Sequence, residues 1–390
     1  MNRSNQRPKK IVCIFGTRPE AIKMAPVVYE LRRAQQVGNN LQTIVCVTGQ
    51  HREMLEQVLS LFQIKPDYNM NVMKEDQDLF SLTSNIIKNM GNILWQIEPD
   101  VVLVHGDTTT AMAASISAFY LKAKVGHVEA GLRTNDRHQP FPEEINRRVA
   151  DVLADYHFCP TETSKRNLLA EGVKEESIIV TGNTVIDALH FTLDRMKSDQ
   201  VKLSVFERQF GYLKSITSNK KLILVTGHRR ENFGNGFINI CQALRDIVDA
   251  DKNVEIVYPV HLNPNVWEPV HRFLANTKGI WLIDPLEYEP FLYLMDKASL
   301  ILTDSGGIQE EAPSIGKPVL VMRDVTERPE AIEAGTARLV GTDHNRICQE
   351  VLNLLYDKES YARMSKAINP YGNGRAAQRI VSYLTKHLCK

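Results

Sequence analysis

Twelve short apolar runs, alternating with helix-length amphipathic stretches, constrain what this chain can fold into more than any other feature. The first six lie at 11–15, 43–47, 101–104, 124–128, 156–158 and 177–180. After a polar, less regular region ending at Lys220, six more follow at 222–225, 254–258, 280–283, 299–302, 319–321 and 337–340. Strands buried on both faces of a parallel sheet read as unbroken apolar runs, and their alternation with helices is the signature of βα units. The fold class read from this is α/β, with two Rossmann-like, doubly wound domains facing a central cleft. Residues 1–9 are polar and basic and are expected to form a disordered lead. Residues 10–182 then make an N-terminal domain and 183–373 a C-terminal one. In 374–390, Ile380, Leu384 and Leu388 recur at helical spacing, so this segment is expected to be a helix packing back onto the first domain.

Composition narrows the function classes. With 43% hydrophobic residues the chain can build ordinary cores, and 390 residues suffice for two domains. A net charge of +1 gives no bulk attraction for nucleic acid or an acidic membrane, so any affinity for anions must be local. No apolar run reaches membrane-spanning length, and the start lacks the apolar stretch of a signal peptide. The six cysteines form no C-x-x-C pair. They read as reduced thiols of a cytoplasmic protein, with no metal site.

In doubly wound sheets, ligands bind outside the carboxyl ends of the strands. The residues just after each apolar run are therefore the candidates. After the first run come Gly16, Arg18 and Pro19, with Lys23 one turn on. Arg18 offers a fork of donors suited to phosphate, while Lys23 by itself reads as solvated. After the third comes Asp107, either a catalytic or ribose-binding carboxylate or the N-cap of the next helix; His105 beside it reads as packed. After the fourth comes Glu129, with Gly131 interrupting any helix it might cap. A carboxylate there needs a partner or a substrate. Glu143 and Glu144 open a helix, where the dipole favours negative charge; the functional reading has Glu143 facing the cleft with Arg147 one turn below.

The second series carries cationic and glycine-rich ends. His228 and Arg229 follow its first run, His261 its second, and Leu286 and Phe291, after the third, suit a flat base. The stretch TDSGGIQEEAP at 303–313 follows the fourth. It reads as strand, tight turn and short helix, with Ser305 as N-cap and Gly306 and Gly307 letting a diphosphate approach. One of Glu310 and Glu311 can anchor a sugar, although an ordinary strand–helix turn has the same form. Arg328 stands at the head of a further helix. No G-x-G-x-x-G, Walker sequence or metal triad is present, so neither NAD nor a P-loop ATPase is indicated. Cations, a helix start and several carboxylates together fit a nucleotide-sugar enzyme.

Eight stretches spread over nearly the whole chain sharpen this. They are FGTRPEAIKMAP at 15–26, HGDTT at 105–109, GHVEAGLRT at 126–134, PEEINR at 142–147, TGHRREN at 226–232, DSGGIQEEAP at 304–313, GKPVLVMRD at 316–324 and TERPE at 326–330. In them the chain resembles the non-hydrolysing UDP-N-acetylglucosamine 2-epimerases. The resemblance implies a glycosyltransferase-B-like fold, usually a homodimer, that interconverts UDP-GlcNAc and UDP-ManNAc without a cofactor. It implies Asp107, Glu129, Glu143 and His228 as catalytic residues. Arg18, Lys23, Ser305, Gly306, Gly307 and Arg328 would bind the substrate together with His228, with Glu311 on the ribose and Leu286 and Phe291 around uracil. Gln50, His51, Arg229 and His261 match a regulatory UDP-GlcNAc site of bacterial members. Glu53 and Asp76 stand where some members have Gln and Arg, a change that weakens a grip on diphosphate there. A hydrolysing epimerase and a UDP-sugar glycosyltransferase of the same fold are the alternatives.

Overall fold

Thirteen strands, all parallel to their neighbours, carry the fold among the residues that the computed structural model describes, 7–49, 52–72, 77–213 and 220–389. In the first sheet they are β1 (Lys9–Phe15), β2 (Leu41–Val47), β3 (Tyr68–Asn69), β4 (Val101–His105), β5 (Lys124–Val128), β6 (Tyr156–Cys159) and β7 (Ile178–Val180). Their spatial order is β3-β2-β1-β4-β5-β6-β7. In the second sheet they are β8 (Lys221–Thr226), β9 (Val254–Pro259), β10 (Ile280–Ile283), β11 (Leu300–Thr303), β12 (Val319–Val321) and β13 (Ala337–Leu339), ordered β10-β9-β8-β11-β12-β13. The chain divides into two units, Met1–Ala188 with Tyr371–Lys390, and Leu189–Pro370, one sheet in each.

Two details differ from the sequence reading. The first sheet has seven strands, because Tyr68–Asn69 pairs with Cys46 and Val47 at its edge. Two residues are too few to show a period, so no apolar run announces them. β1 also opens at Lys9, inside the stretch expected to be disordered. Lys9 Nζ reaches Asp100 Oδ1 at 3.0 Å, and the Lys10 N–H donates to Asp100 Oδ2 at 3.0 Å, which pins the start of the strand.

Each unit buries a core on its sheet. In the first, Val12, Ile14, Ile44, Cys46, Val102 and Val104 meet Ile86, Met90 and Leu94 of the helix Leu79–Ile97 and the alanines of the helix Thr109–Tyr120. In the second, Ile223, Val225, Ile256, Leu300 and Leu302 meet the helix Asn235–Ala250. The helix Ala376–Leu388 packs on the helix Arg18–Gln36, and Asp187 accepts the N–H groups of Ala376 and Ala377 at 3.1 and 2.9 Å. Among the described residues no helix is long and apolar enough to cross a membrane.

Candidate active site

Both sheets have a switch point, where the chain stops building outward on one side and starts on the other. These lie between β1 and β4 in one unit and between β8 and β11 in the other. Such points are where doubly wound sheets open a crevice at their carboxyl ends. The candidate residues gather at the two.

In the first unit, the turn after β1 is held by the helix it begins. Thr17 caps the helix Arg18–Gln36, and the Glu20 carboxylate accepts the N–H groups of Gly16 and Thr17 at 3.0 and 2.7 Å. Glu20 also accepts the Thr108 hydroxyl at 2.6 Å. One buried side chain, which sequence reasoning did not single out, thus ties the turns after β1 and β4 together. Gly16 is required there. A Cβ on it would run into Thr48 Oγ1 and lie 2.7 Å from Thr110 Oγ1. Arg18 stands half-buried at this end.

The structure decides what Asp107 is not. Thr108 caps the helix Thr109–Tyr120, accepting the Ala111 N–H at 3.1 Å, so the Asp107 carboxylate is free of that task. It is instead paired with Arg147 Nη2, and its carbonyl accepts Asn146 Nδ2 at 3.0 Å. Arg147, one turn below Glu143 in the same helix, turns its guanidinium to Asp107 and to Glu144, 3.4 Å away. Glu144 is fully buried and accepts the N–H groups of Thr134 and Asn135, which makes it a clamp on the preceding loop. Glu143 is left with Oε2 buried and without a hydrogen-bond partner.

Glu129 follows β5 in a left-handed backbone conformation, φ +69°. That costs a non-glycine residue roughly 1 kcal/mol or more and is characteristic of functional sites. Its Oε2 is paired with Lys23 and accepts Asn183 Nδ2 at 2.8 Å. Lys23, which by itself reads as solvated, is thus engaged with a candidate acid. His105 Nε2 lies 3.9 Å from the same oxygen, and neither ring nitrogen has a hydrogen-bond partner. Burial drives the His105 pKa down to about 3, against the pull of Glu129, so the imidazole is neutral.

In the second unit, Asp304 organises the turn after β8. Fully buried, it accepts the N–H groups of His228 and Arg229 at 2.8 Å each through Oδ2, and Oδ1 faces His228 Nδ1 at 3.5 Å. Burial lowers the His228 pKa; the Asp304 charge opposes that, while Arg229 and His261 add to it. Ser305 occupies the N-cap position of the helix Gly306–Glu311, but its side chain makes no capping bond. A Cβ on Gly306 would sit 3.9 Å from the Arg328 guanidinium and 4.0 Å from Arg229 Nη2, so two cations converge on this glycine. The Arg328 guanidinium is in turn paired with the buried Glu310, which orients it.

Four candidates of this unit remain: Glu311, Leu286, Phe291 and His261. Glu311 is buried and accepts the Tyr288 hydroxyl at 2.9 Å, a partner that the sequence did not single out. Leu286 lines a groove of about 600 Å³ together with Val201, Phe206 and Pro290; Phe291, half-buried on the helix Tyr288–Lys297, is not in its wall. The His261 ring stacks on His228 with centroids 5.5 Å apart. His261 and Arg229, assigned by resemblance to a regulatory site, therefore lie against His228 and Gly306. Gln50, His51 and Asp76 lie outside the described residues, as does the side chain of Glu53. Among the described residues no cluster of His, Cys, Asp and Glu has the arrangement of a metal site.

The family model for UDP-N-acetylglucosamine 2-epimerase matches residues 33–385. The chain is 56% identical over 378 residues to the UDP-N-acetylglucosamine 2-epimerase of Salmonella typhimurium, covering 97% of this chain and 99% of that protein. It is 57% identical over 375 residues to that of Escherichia coli K12, covering 96% and 98%. Among solved structures, the Neisseria meningitidis UDP-GlcNAc 2-epimerase bound to UDP-GlcNAc is 51% identical with a TM-score of 0.87, covering 97% of this chain and all of that one. The Anabaena HepE structure, at 13% identity and a TM-score of 0.63, shares the fold alone. Two parallel α/β units of glycosyltransferase-B-like architecture, matched over nearly their whole length, show that the chain belongs to the UDP-N-acetylglucosamine 2-epimerase family of isomerases.

Proposed function

We propose that the protein interconverts UDP-GlcNAc and UDP-ManNAc reversibly, by elimination of UDP to 2-acetamidoglucal and re-addition after protonation on the opposite face of C2. The C2 proton is scarcely acidic, so departure of the anomeric UDP leads, and carboxylates stabilise the positive charge left on the ring. In the elimination the C1–O bond breaks with its electron pair going to UDP, while the C2 proton passes to a base. Return of a proton to the other face of C2, followed by attack of UDP on C1, completes the inversion. Asp107, Glu129 and Glu143 are the acids and bases of these steps.

The observation that carries this reading is that none of the three carboxylates caps a helix. Thr108 caps in place of Asp107, Glu129 follows a strand, and Pro142 precedes Glu143 without a side-chain cap. The diphosphate is held by Arg18, His228, Ser305, Gly306, Gly307 and Arg328, with Glu311 on the ribose and Leu286 and Phe291 at uracil. Cations on the leaving group stabilise UDP as it departs and retain it for return. Lys23 acts through its pair with Glu129. The relative from Methanocaldococcus jannaschii, 34% identical, was solved with both UDP-GlcNAc and UDP, and the Neisseria relative with UDP-GlcNAc, which supports the same ligands here.

The working form is a homodimer in the cytoplasm, supplying ManNAc units for cell-surface polysaccharide. Trp95 and Tyr120, on the helices Leu79–Ile97 and Thr109–Tyr120, line one groove and are 73% and 72% exposed, an apolar surface suited to a second copy. A monomer in sedimentation velocity would refute that part. The function is tested by incubating the protein with UDP-GlcNAc in deuterated water and following the sugar by proton NMR. The expected result is UDP-ManNAc with deuterium at C2 of both sugars. Free ManNAc with equal UDP would point to the hydrolysing reaction, and no C2 exchange would overturn the epimerase reading.

A further inference from the structure

His127, fully buried in β5 two positions before Glu129, has both of its ring nitrogens engaged. Nε2 lies 2.7 Å from the Gly106 carbonyl oxygen, and Nδ1 lies 2.6 Å from Asp151 Oδ1. A carbonyl oxygen only accepts, so Nε2 carries a proton. Asp151 is held ionised by its other neighbours: Arg133 Nη2 is 2.8 Å from Oδ2, and the Gly131 N–H donates to that oxygen at 3.3 Å. An ionised carboxylate also only accepts, so Nδ1 carries a proton too.

We propose that His127 is a standing imidazolium whose Nε2–H grips the Gly106 carbonyl and so positions Asp107, making it a positioning residue for the epimerisation. The charges balance locally. His127 and Arg133 face Asp151 and Glu171, with Arg133 Nε 2.8 Å from Glu171 Oε1. The other imidazoles around the ring are His105 on β4 and His157 on β6. His157 Nε2 donates to the Asp151 carbonyl oxygen at 2.8 Å, so it leaves the Asp151 carboxylate to His127 and Arg133. Burial pulls the His127 pKa down, but Asp151 and the Gly106 carbonyl lift it above its ordinary value.

The grip matters because Gly106 is the bend of the HGD turn. Its φ is +65°, its N–H donates to the Val128 carbonyl at 2.9 Å, and its own carbonyl is held by His127. The next residue is Asp107, whose carbonyl is fixed by Asn146 and whose carboxylate is fixed by Arg147. A neutral ring at 127 could keep only one of the two bonds, leaving either the Gly106 carbonyl or Asp151 without its partner. This inference rests on Asp107 being a catalytic carboxylate.

The test has two arms. Full-length protein labelled with ¹⁵N-histidine should show both ring nitrogens of His127 protonated at neutral and mildly alkaline pH, the resonances being identified by their loss in His127→Gln. A single protonated nitrogen overturns the proposal. In His127→Gln, kcat should fall on the order of 10²-fold with KM little changed, because a small displacement of a catalytic group costs about that much. An unchanged kcat, or a change confined to KM, overturns it. If the glutamine variant does not fold, the proton count in the wild type, assigned by elimination with variants of each other histidine, decides alone. Wild-type turnover in deuterated water separates this outcome from failure of the epimerase reading, since the proton count does not depend on activity.

Discussion

Replacing Asp304 by Asn removes a charge while keeping the shape of a fully buried side chain. Oδ2 accepts two backbone N–H groups, from His228 and Arg229, at 2.8 Å each, and lies 3.4 Å from Asn232 Nδ2. Hydrogen bonds to a charged group contribute about 1.5–3 kcal/mol net, against about 1 for neutral pairs. Two bonds that each weaken by roughly 1 kcal/mol lower folding stability by about 2 kcal/mol. The effect on turnover has a separate origin. With the amide oxygen kept on the two N–H groups, the amide NH₂ faces His228 Nδ1 where Oδ1 now lies 3.5 Å away. That favours a ring with Nδ1 as acceptor, the opposite tautomer from the one a carboxylate selects. The contact is 3.5 Å and Oδ1 makes no hydrogen bond, so losing the charge beside the ring should cost about 1 kcal/mol, a fall in kcat of roughly fivefold. Because the Asp304 charge raises the His228 pKa against burial, and His228 holds the diphosphate as a donor, the alkaline limb of the rate profile should also move to lower pH. Initial rates of UDP-ManNAc formation across pH, with urea unfolding in parallel, measure both effects. A variant with wild-type kcat and an unmoved alkaline limb would refute the reasoning.

Three other perturbations probe the same site. His105 is depressed to about 3 from its ordinary 6.5, chiefly by burial. Below 6.5 the unfolded chain takes up a proton that the folded one refuses, so stability is lost as pH falls from 6.5 towards 3. Between about pH 7 and pH 5 this residue accounts for a loss of about 2 kcal/mol, so wild type should lose that much more than His105→Gln in urea unfolding over the same interval. Glu20→Ala strips the Gly16 and Thr17 N–H groups and the Thr108 hydroxyl of their acceptor, and is expected to cost about 3 kcal/mol; thermal unfolding unchanged from wild type would contradict this. Gly306→Ala puts a methyl beside Arg328 and Arg229 without a backbone clash, so stability should hold while UDP affinity, measured by calorimetry, falls on the order of tenfold.

Much of the architecture is legible because burial on both faces leaves an unmistakable mark. Every one of the twelve apolar runs falls on a strand, and Asp107, Glu129, His228 and the DSGG turn stand at strand ends as their positions in the sequence require. β3 is not legible, since two residues at a sheet edge carry no period. Nor are the pairings. Arg147 is one turn from Glu143 in its helix, yet it turns to Asp107, 40 residues away in the chain, because β4 delivers that carboxylate to it. Asp107 has the sequence position of a helix cap, and only the structure shows that Thr108 takes the role.

The α/β class, the two series of strands and the residue types at their carboxyl ends follow from local pattern and short-range turn chemistry, and so can be read along the chain. Which charges meet is settled by folding: Lys23 with Glu129, Arg328 with Glu310, His127 between Asp151 and Gly106, and Asp304 beneath His228. Parallel strands joined by helices bring together residues far apart in the chain, and the protonation and orientation of a buried group depend on those neighbours rather than on its own place in the sequence.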